Sequence, residues 1–61
     1  MKPKVKLIGE NGNIFNLMGI ASSALRKAGL KDEATAMMDK VFDCDSYDMA
    51  LLVIQEYVEV I

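Results

Sequence analysis

Apolar and polar residues alternate at the start of the chain, where Val5 and Leu7 are interleaved with Lys4 and Lys6. That alternation predicts a strand running to Gly9, with an apolar inner face and a lysine outer face. Gly9 to Asn13 then gathers turn-forming residues, and Asn13 is placed to cap a helix. From Ile14 to Ala28 the spacing changes to the helical one, and Ile14, Leu17, Met18, Ala21, Ala24, Leu25 and Ala28 fall on one stripe. Arg26 and Lys27 occupy the last turn, where cations meet the negative end of the helix dipole. Gly29 predicts a left-handed stop, with Leu30 placed for the apolar contact that accompanies such caps.

A second helix follows almost at once, opened by Asp32 and Glu33 and carrying Ala34, Met37, Met38, Val41 and Phe42 on one face, with an acidic face opposite. The run Asp43, Cys44, Asp45, Ser46 breaks it, and either Asp45 or Ser46 is suited to cap a third helix beginning near Tyr47. That helix runs through Met49, Ala50, Leu51, Leu52, Val53 and Ile54 and is apolar nearly all round, which predicts burial on more than one side. The C-terminus fits two descriptions. Tyr47, Leu51, Ile54, Val58 and Ile61 continue a helical stripe, whereas Tyr57 to Ile61 alternate as a β-branched strand would. The strand is preferred, because the first strand needs a hydrogen-bonding partner and no other segment offers one. Glu59 would then match Lys4 and Lys6 on the outer face.

The predicted fold is α+β: a single domain over residues 1–61, in the order β-α-α-α-β, with a two-stranded sheet packed on the helices. A mostly α fold with one N-terminal strand is the alternative. The expected core is Val5, Leu7, Leu17, Ala21, Leu25, Met38, Val41, Leu51, Ile54 and Val58. Since a chain of about 60 residues buries only about 60% of its unfolded surface, partners or copies become natural contributors to stability.

Composition removes several chemistries. Histidine and tryptophan are absent and Cys44 is the single cysteine, so Cys/His zinc sites, histidine-based dyads and disulfide frameworks are excluded. One unpaired thiol and five methionines suit a reducing compartment, and cytoplasm is the expected location. The longest apolar run, Met49 to Ile54, has six residues, far short of the roughly 20 that span a bilayer, and no signal-peptide stretch follows the basic start. No membrane association is expected.

The net charge of −2 hides an asymmetry. Residues 1–31 carry six basic side chains (Lys2, Lys4, Lys6, Arg26, Lys27, Lys31) against Glu10, a balance of +5, and residues 32–61 carry eight acidic ones against Lys40, a balance of −7. Such a split suits a nucleic-acid face or an acidic interaction face, but folding is expected to interleave and cancel the two sets. The alternating lysines are also a known protection for an edge strand, and no aromatic residue is interleaved with them in the sequence.

Other candidate sites have simpler readings. Gly9-Glu10-Asn11-Gly12 has the spacing of a nucleotide-clamping Gly-x-x-Gly loop, but it follows a strand rather than a helix, and Glu10 would repel phosphate. A generic anion site on the first helix N-terminus stays open beside a plain strand-to-helix turn. Asp43, Asp45 and Asp48 lack the glycine and distal glutamate of a calcium loop and are read as capping residues. Cys44, between two aspartates, lacks the cationic neighbours that activate a nucleophilic thiol and is read as a small, partly buried residue. Met1, Met18, Met37, Met38 and Met49 are read as core before binding surface. Gly19, Ser22 and Ser23 leave room for another backbone to approach the first helix.

Val5-x-Leu7-x-Gly9-x-x-Gly12-Asn13-x-Phe15, followed by Ala24 to Leu30, resembles short uncharacterised proteins of bacteria, phages and mobile genetic elements. The resemblance rests on the first half of the chain and implies an accessory protein without transferring any functional residue. The expectation is a non-catalytic interaction module that self-associates or binds a protein partner, with no catalytic residue, cofactor or metal. Its candidate surface comprises Gly19, Ser23, Tyr57 and Ile61. The alternative is a small nucleic-acid-associated factor using the basic N-terminal half.

Overall fold

A computed structural model describes residues 2–61, and Met1 lies outside them. The order is β1 (Lys4–Val5), α1 (Ile14–Lys27), α2 (Lys31–Phe42), α3 (Tyr47–Tyr57) and β2 (Glu59–Val60), a small α+β domain as the spacing predicts. Three helices joined by short connections carry the chain back to the end where it began. β2 accordingly runs parallel to β1, with Lys4 opposite Glu59 and Val5 opposite Val60. Glu59 N–H donates to the Pro3 carbonyl at 2.9 Å and Ile61 N–H to the Val5 carbonyl at 2.8 Å. The strands are shorter than the alternation suggests: Leu7 lies beyond β1, and Lys6 beyond the paired register. Tyr57 closes α3 instead of opening a strand, and Val58, at φ −134° and ψ 153°, is the residue that switches the chain from helix to extended backbone.

The caps explain the helix limits. Asn13 Oδ1 accepts the Phe15 N–H at 2.8 Å, and at α3 it is Ser46, not Asp45, whose hydroxyl accepts the Met49 N–H. Gly29 sits at φ +79°, and paired bonds from Gly29 N–H to the Arg26 carbonyl and from Leu30 N–H to the Leu25 carbonyl close α1 in a Schellman arrangement. Leu30 packs against the core next to this cap.

Val5, Leu17, Met18, Ala21, Leu25, Ala34, Met37, Val41, Ala50, Ile54 and Val58 form the buried core. Three expected members, Leu7, Met38 and Leu51, are only partly buried, whereas Met37 and Ala50 lie inside. Neighbouring apolar residues on a helix differ by about 100° in direction, and the packing angle of the helix, which the sequence does not carry, selects between them. α3 is likewise not buried all round, since Met49 and Leu52 are exposed. Phe42, expected on the inner face of α2, is 60% exposed. Among the described residues no helix is long and apolar enough to cross a membrane.

Leu25 and Met37, 1% and 0% exposed, should each cost about 2 to 5 kcal/mol when truncated to Ala. Met38→Ala and Leu51→Ala, at partly buried positions, should cost about 1 kcal/mol or less. Urea melts of the four variants check this, and equal losses at Met37 and Met38 would contradict the helix orientation.

Candidate interaction surface

β1 and α1 diverge to leave an open groove of about 630 Å³. Lys4 and Lys6 line one wall, Gly19 and Ser23 lie on the α1 side, Phe15 stands near the start of the helix, and Lys27 near its end. Among the described residues no acidic one lines it. A second groove of about 470 Å³ shares Gly19, Ser23 and Lys27 and adds Arg26 and Met38. In its wall the half-hidden polar contacts are satisfied locally: Arg26 Nε donates to the Ser22 hydroxyl at 3.3 Å, and that hydroxyl points to the Met38 sulfur at 3.7 Å.

The expected cancellation of charge does not occur at contact distance. Among the described residues the ion pair that forms, Lys40 Nζ to Glu56 Oε2 at 4.0 Å, lies wholly within the acidic half, and both side chains are exposed. Lys4 and Glu59 are neighbours in register without an ion pair of that length. The basic side chains of β1 and of the last turn of α1 therefore remain on the two adjoining grooves.

The four candidate surface residues separate into three places. Gly19 and Ser23 line the β1–α1 groove. Tyr57 sits half-buried in the last turn of α3, where Lys40 Nζ lies 5.3 Å from its ring centroid. Tyr57 and then the Glu56 carboxylate hold the Lys40 ammonium above its ordinary pKa. Ile61 is exposed just after β2, its N–H tied to Val5. A β-carbon on Gly19 would meet no atom within 4 Å, so no described part of the chain, α3 included, packs closely onto this glycine.

Two features were missed in the sequence. Phe15 lies off the apolar stripe of α1, and that displacement was the available signal for its exposure. It is 61% exposed, and its ring lies 6.2 Å from that of Phe42, tilted by 40°, so two large aromatics pair in the open. Phe15 also brings an aromatic beside the lysines, which sequence proximity did not. Tyr47, partly exposed close to this pair, donates from its hydroxyl to the Gly12 carbonyl and thereby ties the β1–α1 turn to α3. Cys44 is a free, partly buried thiol directed at the Lys40 carbonyl at 3.2 Å. Among the described residues no three His, Cys, Asp or Glu side chains assemble as a metal site.

Gly19 and Gly29 both have open space above them but differ in backbone conformation, which yields a paired expectation. Gly19→Ala, in a helix interior with open space above it, should stabilise by about 0.5 to 1 kcal/mol. Gly29→Ala, at positive φ, should destabilise by about 1 to 2 kcal/mol. Thermal melts with the same sign of change at both positions would contradict the backbone geometry.

Neither a protein-family model, nor a curated protein, nor a solved structure matches the chain.

Proposed function

We propose that this protein is a non-catalytic interaction module that binds protein surfaces, copies of itself included. The observation that carries this reading is the exposed aromatic pair Phe15 and Phe42, adjoined by Tyr47 where α1, α2 and α3 meet. Large apolar side chains gathered in the open cost water contact that a partner would relieve, and such patches mark interaction sites on small proteins. Met49, Leu52 and Ile61 extend the exposed apolar surface elsewhere. Sedimentation velocity from micromolar to millimolar concentration tests the self-association part. The expected outcome is concentration-dependent growth in mass that is reduced in the Phe15→Ser and Phe42→Ser variants. A monomeric mass throughout, with both variants indistinguishable from wild type, would overturn it.

A second reading, binding of single-stranded nucleic acid, is favoured by one arrangement: Lys4, Lys6 and Lys27 share a groove with the exposed Phe15 ring and no acidic residue. Lysines tracking phosphates beside an aromatic stacking platform is the recurring design of single-strand binders. Three phosphate contacts would make the logarithm of affinity for a thymidine oligonucleotide fall with the logarithm of salt concentration at a slope of about −2. A flat salt response, or no binding at low salt, would remove this reading.

A further inference from the structure

We propose that the groove between β1 and α1 is a docking site for an extended, acidic polypeptide segment of a partner, which adds to β1 as a further strand. This deepens the protein-binding reading above and rests on it. The first observation is an unused strand edge. The Pro3 and Val5 carbonyls accept bonds from β2, and successive residues of a strand turn their main-chain groups to opposite sides. The N–H and C=O of Lys4 thus face away from β2. The groove opens along β1, so a third strand has both room and main-chain partners there.

The second observation is the chemistry of the walls. Lys4, Lys6 and Lys27 line the groove without an acidic residue among them, so a basic or neutral strand gains less there than an acidic one. Gly19 and Ser23 keep the α1 side low, and Ile20 and Ala24 supply apolar contact between them. An extended ligand presents alternate side chains to opposite faces. Apolar residues at every second position would lie on α1, and the acidic ones between them would stand beside the lysines.

The third observation is the strand that β1 already binds. β2 and its flanks read Val58, Glu59, Val60, with Val58 buried, Glu59 exposed and Glu59 opposite Lys4. The opposite edge of the same strand meets the same lysines, so the same apolar and acidic alternation describes what fits it. A second copy of the folded chain is a poorer occupant. Its segment with this alternation, Val58 to Val60, is already paired with its own β1, and its β1 edge would set Lys4 and Lys6 against the same lysines.

The probe is a fluorescein-labelled peptide of four Val-Glu repeats, followed by anisotropy and by amide chemical shifts of the 15N-labelled full chain. Binding is expected with shifts concentrated at Lys4, Lys6, Gly19 and Ser23. The Lys4→Glu, Lys6→Glu double variant should weaken it at least about tenfold, the loss of two favourable charge contacts being replaced by repulsion. The same peptide N-methylated at alternate amides should lose binding by a similar factor, because it cannot pair with the strand edge, and this control leaves the fold of the protein untouched. Equal binding of a four-repeat Val-Lys peptide, full retention by the N-methylated peptide, or shifts elsewhere on the surface would overturn the proposal. So would a thymidine 12-mer that binds this groove while the Val-Glu peptide does not. If peptide binding fails while self-association sensitive to Phe15 and Phe42 persists, the strand-addition proposal falls and the interaction-module reading stands.

Discussion

The pairing of the two chain ends is the constraint on which the rest of this fold depends. Bringing Pro3 to Glu59 closes almost the entire chain, and loop closure over some 55 residues costs about 3 to 4 kcal/mol beyond a constant. Each backbone hydrogen bond returns only about 0.5 to 1.5 kcal/mol net. The few bonds between β1 and β2 therefore cannot hold the ends together unaided. What makes the pairing favourable is the apolar anchoring on either side of it: Val5 and Val58, 5% and 1% exposed, sink into the core formed by Leu25, Met37 and Ile54. The helices bring the ends together, and the strands then close the domain.

That order of dependence accounts for the surface left over. A sheet of two short strands has two outer edges. Among the described residues no further strand pairs with either edge. The edge of β1 opens onto a basic groove with α1, because Lys4 and Lys6 flank the anchored Val5 and the last turn of α1 carries Arg26 and Lys27 at its negative dipole end. Acidic side chains collect on α2, its following loop and α3, close to Lys40. Among the described residues no ion pair within 4.0 Å joins the two halves, although the parallel pairing sets Glu59 opposite Lys4.

The exposed aromatics follow from volume. Three short helices enclose a core whose largest fully buried members are Leu25, Met37, Ile54 and Val58, and no phenylalanine or tyrosine side chain is among them. Phe15 at the start of α1 and Phe42 at the end of α2 project past the core at the end of the bundle, where they meet each other with no further layer to shield them. The same end is tied down by Tyr47 reaching Gly12, so the patch is built on a braced turn.

The local rules were legible in the sequence. The period change after Asn13, the Asn13 cap and the Gly29 stop are decided by residues within a few positions of one another, whereas the C-terminal strand was preferred because the distant first strand needs a partner, and the structure has the expected β-α-α-α-β order. Tyr57 belongs to α3 because the helix keeps its hydrogen bonds until Val58, whose N–H still reaches the Ile54 carbonyl. Position along a stripe was less legible: the choice of Met37 over Met38, or Ala50 over Leu51, depends on how each helix is rotated against its neighbours, which is a property of the packed whole. The candidate surface was read in part. Gly19 and Ser23 were visible as small residues on an apolar helix, but only the tertiary structure set them opposite Lys4 and Lys6, added Phe15 and Lys27, and left Tyr57 beside Lys40. A groove between a strand near the N-terminus and a helix that packs on it exists only after both are anchored to the same core, so its composition is written in the sequence while its existence is decided by packing.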